Sequence, residues 1–564
     1  MRRLPLLIGA AALVALTAQP ASAAGRQPID VQLLSITDFH GYITPQNNAA
    51  DGTIKDGAGN TLMVGGAPYV STHLKNLRNG KRNTVTFTTG DDFSGWPVEV
   101  SHHADEPTVE FLNRIGVQFT AAGNHEFDRS LEFTRDHMGK GRCFGEVGLD
   151  SCFTDSSGRR FPGARYEISS ANMTRKGSTR PVLEPFVIKR FQGVPVGFIN
   201  LTTPTTVAGS TSYQPTLDNL PLVETANKYA AILKRMGVEA IVANVHEGGA
   251  AGQDFNGCGP TKSGPIWDFA RDASPDIDAI VTGHWHWFFN CSLPDPAGNL
   301  RPVVEAANHG RLINEINLKI DRRTRDVIRP ATTARNHPVT RDVPADPEMV
   351  AMVDYWNGKA KVTGARQIGT LTGDVTRVRD ADGESTLGNL VADAEKAASD
   401  GADLAMVAVA PVKGSNSLRG DLKAGAVTFA QAWAAWGYAN PVLTVSVKGA
   451  QVDQALEQQW QTQPDGTVRF APLAVSGNVR FSYDVRKPVG ERVENVLIDG
   501  KPLDAARGYR LAALAYTLIG ADGYTAFTGY TDTVRGPRDY EALRSYLGTG
   551  PLSPPALDRA QPLL

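Results

Sequence analysis

Residues 31–40 read VQLLSITDFH, an apolar run that ends in a carboxylate and an imidazole, Asp38 and His40. A strand buried on both faces is apolar at nearly every position. Residues 31–37 therefore read as a buried strand, with Asp38 just beyond its end. The same figure recurs along the first half of the chain. Residues 83–89, NTVTFTT, are rich in β-branched side chains and lead into Gly90-Asp91. Residues 239–245 lead into His246, and residues 278–282 into Gly283-His284. Between these runs lie stretches with apolar positions at helical spacing, 221–236 among them. Short buried strands alternating with helices predict an α/β core. Open α/β sheets place their polar sites beyond the strand ends.

The chain has 564 residues, too many for one ordinary core, so two or more domains are expected. It is 41% hydrophobic and 21% charged, which excludes a largely disordered chain. With 57 basic and 59 acidic residues the formal charge is -2, which argues against a dedicated surface for polymeric nucleic acid. Residues 323–346 are polar, proline-containing and without clear period, and read as an interdomain connection. Residues 348–359 read as a bridging helix. A second unit follows, with strands expected at 404–410, 442–447 and 496–498 and a helix at 387–398. The expected division is a signal peptide at 1–24, a first domain at 28–340, a linker with the bridging helix at 341–362, and a second α/β domain at 363–552.

The N-terminus pairs Arg2 and Arg3 with an apolar run over 4–18 and then Ala21-Ser22-Ala23. That is the pattern of a secretory signal peptide, so the mature protein is expected in the periplasm or secreted. No later segment reaches 18 unbroken apolar residues, so no stable membrane span is expected. Nothing in the sequence points to an obligate protein partner. The four cysteines, Cys143, Cys152, Cys258 and Cys291, form an even set in an exported chain and imply two disulfides. Cys143–Cys152 with Cys258–Cys291 is the simplest of three connectivities. A four-cysteine zinc site is the alternative, though it lacks paired C-x-x-C spacing.

Seven side chains beyond the strand ends carry the chemistry: Asp38, His40, Asp91, Asn124, His246, His284 and His286. They occur in DFHG, GDDFSG, GNHEFD, NVHEGG and GHWH. Carboxylate, imidazole and amide together suit divalent transition metals. Asp38-x-His40 and His284-x-His286 are each expected to put two ligands on one side of an extended segment. Asp91, in a glycine-flanked turn, is placed to bridge two ions. Two divalent ions beside a phosphate monoester could hold the dianion, activate a water and stabilise the leaving oxygen.

These five motifs resemble the calcineurin-like metallophosphoesterases, and more closely the exported 5'-nucleotidase family of nucleotide and nucleotide-sugar hydrolases. The resemblance spans nearly the whole mature chain. It implies a layered N-terminal metallophosphoesterase domain and a C-terminal α/β domain for nucleotide recognition. It implies one ion on Asp38, His40, Asp91 and His286, and a second on Asp91, Asn124, His246 and His284. Zinc and manganese both suit this donor set. His125 and Asp128 match a catalytic pair beside the metals, with Asp128 orienting the His125 ring. Trp285 and Trp287 depart from the family by flanking His286, and are read equally as pocket walls or as a domain contact.

In the second unit, ESTLGNLVADA, KGSNSLRGDLKAG, WGYAN and YTLIGADGY resemble the family's nucleotide-recognition domain. Tyr438 and Tyr516 match the two aromatics that sandwich a base. Arg379 and Arg419 match arginines near the charged or ribose part of the substrate, and Arg377 competes with Arg379 for that role. Gly414 stands where the family commonly has asparagine, and Asn416 lies two residues on. Asn440 and Asp522 are candidates for base or ribose edges. The expected activity is hydrolysis of nucleoside 5'-phosphates, with nucleotide sugars or polyphosphates as further substrates. The alternatives are a 2',3'-cyclic nucleotide 2'-phosphodiesterase with 3'-nucleotidase activity, and a non-catalytic nucleotide-binding protein.

Overall fold

Strand Ile29–Ile36 sends Ile29, Val31 and Leu33 to one side and Leu34 and Ile36 to the other, and both sets are buried. The period of two explains the continuous apolar run, because each face meets its own core. The first face joins Val85, Phe87, Phe198, Val242 and Val281 in a core between two six-stranded sheets. The computed structural model describes residues 27–94, 97–208, 216–252, 254–409, 418–438, 440–463, 465–520 and 523–563. The expected signal peptide, Asn416 and Asp522 lie outside them.

The first sheet runs Thr333–Pro338, Leu312–Ile320, Ile29–Ile36, Thr84–Thr88, Phe119–Ala121, Glu167–Ser169. The second runs Phe288–Pro294, Leu300–Ala306, Ala279–Thr282, Ala240–His246, Val194–Thr202, Phe186–Phe191. Helices Ala67–Arg78, Glu106–Ile115 and Pro347–Ala365 cover the outside of the first sheet. Leu222–Arg235 and Ile266–Asp272 cover the second. The result is the layered α/β domain expected, in the order helix, sheet, sheet, helix. Ile29–Ile36 is parallel to Thr84–Thr88, and Ala240–His246 to Ala279–Thr282. Within each sheet, the carboxyl ends of these parallel strands therefore lie at one edge.

The segment 323–346 departs from the expectation of a plain connection. It contains the turn Arg329–Ala331 and the strand Thr333–Pro338, which pairs antiparallel with Leu312–Ile320. An edge strand shows one rim to solvent, which accounts for its polar composition. The bridging helix is longer than expected, Pro347–Ala365, and is capped by the Asp346 side chain accepting from Glu348 N. Its Trp356 is fully buried and donates Nε1–H to Glu110 Oε2 at 2.7 Å.

The second domain centres on a five-stranded sheet: Leu473–Val475, Leu404–Ala408, Gly508–Leu514, Pro441–Lys448, Thr531–Arg538. Helices Thr386–Ala397, Phe429–Ala435 and Asp539–Leu547 pack on one face. Helix Gly449–Glu457 and a small sheet pack on the other. That small sheet includes Ala560–Pro562, parallel to Val479–Tyr483, so the domain runs past the expected end at 552. Buried Arg559 anchors the extension through Nη2 to Asp393 Oδ2 at 2.7 Å. The two domains meet where His102 of the first sets its ring edge-on to Phe429 and Trp433 of the second, at 3.9 and 5.0 Å.

Both local disulfides are present, Cys143–Cys152 and Cys258–Cys291, which removes the four-cysteine zinc alternative. Among the described residues no helix is long and apolar enough to cross a membrane.

Candidate metal centre

The seven predicted ligands sit at the carboxyl ends of strands from both sheets. Their local backbone is not the extended one expected. Asp38, His40, Asp91, His284 and His286 all have left-handed φ, between 46° and 79°. Such a conformation costs a non-glycine residue roughly 1–2 kcal/mol. Sharp left-handed turns, not pleat alternation, thus bring Asp38 beside His40 and His284 beside His286.

Hydrogen bonds between the ligand loops offset that strain. Asp38 N donates to Gly90 O at 2.9 Å and His40 N to Asp91 O at 3.0 Å. His284 N donates to Asp38 Oδ2 at 3.0 Å. Gly90 and Gly123 permit this closeness. A Cβ on Gly90 would lie 2.6 Å from Gly123 N, and one on Gly123 would lie 2.1 Å from Asp91 Oδ1.

Asp91 is central. Its Oδ2 is 3.1 Å from His246 Nε2 and 3.9 Å from His40 Nε2. His246 Nε2 is 3.3 Å from Asn124 Oδ1. On the other side, His40 Nε2 is 3.3 Å from His286 Nε2, which is 3.5 Å from Asp38 Oδ1. Asp38, His40 and His286 form one group whose ligand atoms lie within 4.8 Å of one another, and Asp91, His246 and His284 form another. Nitrogen and carboxylate donors at this spacing fit divalent ions. Nδ1 of His246 faces Thr89 O at 2.7 Å and Nδ1 of His40 faces Phe93 O at 3.3 Å. A carbonyl on Nδ1 fixes the tautomer that leaves Nε2 for a metal.

Burial sets the electrostatics. It pushes the Asp38 carboxyl up to about 7 and the imidazoles of His284 and His286 down to about 3. Burial also opposes the Asp91 charge, but His246 and then His125 outweigh it and hold Asp91 well below the usual carboxylate range. A fully desolvated carboxylate held anionic among imidazoles is an environment suited to cations.

His125 and Asp128 form the expected pair, with Nδ1 and Oδ2 at 2.6 Å. His125 N also donates to Asp91 Oδ1 at 2.9 Å, which ties the pair to the centre. Burial opposes the His125 charge, yet Asp128 and then Asp91 lift its pKa to about 10. The side chain keeps 32% of its surface, so the ring faces the cleft.

Two further features have no clear signal in the sequence. Glu126 lies inside GNHEFD, yet its neighbours carry the obvious chemistry. Its buried carboxylate accepts from Asp91 N, Asp92 N and Gly123 N at 2.9, 2.8 and 2.6 Å, which joins two ligand loops. The other is His309, whose ring centroid lies 6.0 Å from that of His40 and 5.8 Å from that of His286. Asp51 Oδ1 faces its Nδ1 at 3.0 Å, and Tyr42 stacks on its ring at 3.5 Å. No residue spacing announces that contact, because Asp51 and His309 come from distant loops.

In the second domain, Arg419 lies over the Tyr438 ring at 3.6 Å and donates to Gly437 O at 3.3 Å. Arg377 donates to Arg419 O at 2.6 Å, whereas Arg379 turns to Val409 O at 3.1 Å. Arg377 is therefore the arginine joined to the Arg419–Tyr438 pair. Asn440 O accepts from Asp539 N at 2.9 Å, and Tyr516 is half-buried on the short helix Ala515–Leu518. Arg419 acts electrostatically on Tyr42, which brings the second domain's cluster toward the metal centre. Trp285 and Trp287 are 40% and 42% exposed. A Cβ on Gly248 would fall 1.8 Å from Trp285 Cδ1, so that indole lies on the glycine backbone beside the site.

A calcineurin-like phosphoesterase model matches residues 31–288, and a 5'-nucleotidase C-terminal domain model matches 367–529. The chain belongs to the 5'-nucleotidase family, with an N-terminal calcineurin-like phosphoesterase domain and the family's own C-terminal domain. It is 26% identical to the endonuclease YhcR of Bacillus subtilis over 93% of this chain, but spans only 40% of that relative's length. It is 24% identical to protein UshA of Yersinia enterocolitica over 92% of this chain and 90% of the relative. Its fold matches the 5'-nucleotidase precursor of Thermus thermophilus with TM-score 0.54 and 22% identity, over 95% of this chain and 99% of the other.

Proposed function

We propose that the chain is a divalent-metal-dependent 5'-nucleotidase that converts nucleoside 5'-phosphates to nucleoside and phosphate. Nucleotide sugars and nucleoside polyphosphates share the two recognised parts, phosphate and base, and are further substrates. The carrying observation is the convergence of Asp38, His40, Asp91, Asn124, His246, His284 and His286 around one buried carboxylate, with His125–Asp128 alongside.

Asp38, His40, Asp91 and His286 would hold one ion, and Asp91, Asn124, His246 and His284 the other; zinc and manganese suit this donor set. Bound there, two divalent ions supply Lewis acidity that neutralises the phosphate dianion and activates a water. The chain's own residues do the rest. Asp128 holds His125 by Nδ1, so Nε2 is the nitrogen presented to the substrate. Asp128, the first charge that raises the His125 pKa, favours the imidazolium form, from which Nε2 would donate to a phosphoryl oxygen or to the departing alcohol.

Tyr438 and Tyr516 take the base between them. Arg419 covers one face of Tyr438, so the base stacks on the other. On the family resemblance, Arg379, Asn416, Asn440 and Asp522 would contact the sugar and base edges. Export through residues 1–24 is supported by the two disulfides, which persist in oxidising compartments.

Phosphate release from paired 5'-AMP and 3'-AMP tests the reading. The 5' substrate should turn over faster. Faster release from 3'-AMP would instead assign the chain as a 3'-nucleotidase, and tight nucleotide binding without turnover would make it a binding protein.

A further inference from the structure

The short connection between helix Phe429–Ala435 and strand Pro441–Lys448 carries two of the proposed base contacts, Tyr438 and Asn440. It is packed closely against its own domain. Trp436 is fully buried and sets its ring edge-on to Tyr438 at 5.3 Å. A Cβ on Gly437 would lie 2.7 Å from Trp433 Cδ2. The connection is also tied from 101 positions away, by Asp539 at the start of helix Asp539–Leu547. Asp539 Oδ2 accepts the Tyr438 N–H at 3.0 Å, and Asp539 N donates to Asn440 O at 2.9 Å. Its other oxygen, Oδ1, accepts the Tyr540 N–H at 2.7 Å.

Asp539 is fully buried, and a desolvated carboxylate is costly unless donors meet it. Here each oxygen meets a backbone donor, one on its own helix and one on the connection. The Tyr438 bond does more than cap a helix. An amide nitrogen is one covalent bond from Cα, so the bond to Oδ2 fixes where the Tyr438 side chain starts. Arg419, 3.6 Å from the ring centroid, fixes how the ring faces. Misplacing a substrate-positioning group by about 1 Å can cost up to about 10²-fold in rate.

We infer that Asp539 is a positioning residue for nucleotide recognition, which touches no substrate and holds the Tyr438 ring where a base stacks. The inference rests on the base-sandwich reading and adds to it the group that keeps one wall in place. Asparagine at this position would keep one acceptor oxygen and aim N–H₂ at the other backbone donor. The tie to Tyr438 or the one to Tyr540 would then be lost.

The test is steady-state kinetics of the metal-loaded full chain on 5'-AMP and on a small aryl phosphate, with wild type, Asp539→Asn, Tyr438→Ala and the double variant. Asp539→Asn should raise KM for 5'-AMP at least about fivefold, with kcat and the aryl phosphate rate within about twofold of wild type. Because Asp539 acts through Tyr438, the double variant should be no worse on 5'-AMP than Tyr438→Ala alone. An unchanged KM, additive losses in the double variant, or equal losses on both substrates overturn the inference. Wild type that uses 5'-AMP no better than the aryl phosphate fails the base-sandwich reading itself, and the inference with it. Hydrogen exchange at the Tyr438 amide of the wild type needs no variant to fold. Strong protection is expected there, and exchange as fast as in an unstructured peptide overturns the inference.

Discussion

Glu126 Oε2 accepts the backbone N–H of Asp91 at 2.9 Å. The central carboxylate of the candidate metal centre is thereby held in its left-handed turn by a residue outside the proposed ligand set. The same side chain takes the N–H groups of Asp92 and Gly123, so one buried acid positions two ligand loops.

Replacing Glu126 with glutamine puts an amide N–H₂ against backbone donors and removes half of the acceptor. The variant should lose roughly 1–3 kcal/mol of stability, as expected for buried polar groups left unpaired. It should also bind divalent metal more weakly. Thermal unfolding and metal analysis on purified protein check both effects. Unchanged melting with unchanged occupancy would show that Asp91 keeps its turn without Glu126.

The His125–Asp128 pair makes a prediction in pH. His125 has a folded pKa of about 10 against an ordinary value of 6.5. A raised pKa means that the protonated ring stabilises the fold fully below 6.5, and that this contribution is lost as pH rises through 10. Activity that uses the imidazolium should therefore fall on the alkaline side. Bound cations move that limb below 10. Asp128→Asn removes the first charge that sustains the proton and should move it lower still. His125→Asn should keep the metals and lose about 10²–10⁴ in rate. A limb unmoved by Asp128→Asn, or metal lost with His125→Asn, would make the pair a scaffold.

Recognition of the base is separable from hydrolysis. Tyr438→Ala and Tyr516→Ala should each cost about 1–3 kcal/mol in kcat/KM on 5'-AMP, the worth of one stacking contact. A small aryl phosphate, which has no nucleobase, should be little affected. Kinetics on both substrates at fixed metal content decide this. Equal losses on the two would mean general structural damage, and no loss on either would place the tyrosines outside the pocket.

Residue patterns alone carry much of the fold and of the metal centre. The apolar run at 31–37 is a strand because alternate residues meet two different cores, and periodicity reports burial directly. The ligand motifs are legible because metal chemistry restricts residue types. The left-handed turns at Asp38, His40, Asp91, His284 and His286 are not legible, since composition carries burial far better than φ for non-glycine residues. Partners far apart in the chain are hidden too. Arg559 reaches Asp393 across 166 positions, so the short final strand Ala560–Pro562 has the sequence of a tail.

The central claim is that Asp91 joins two metal ions at the hydrolytic centre. Metal analysis and phosphate release from 5'-AMP, measured on the same samples of wild type and Asp91→Asn, test it most directly. The variant keeps the side chain's size and removes its charge. The account predicts two divalent ions per wild-type chain, loss of turnover on chelation, and recovery when zinc or manganese is returned. It predicts that Asp91→Asn binds fewer ions and releases phosphate far more slowly. Full turnover by metal-free wild type, or an Asp91→Asn protein with both ions and undiminished turnover, would contradict it.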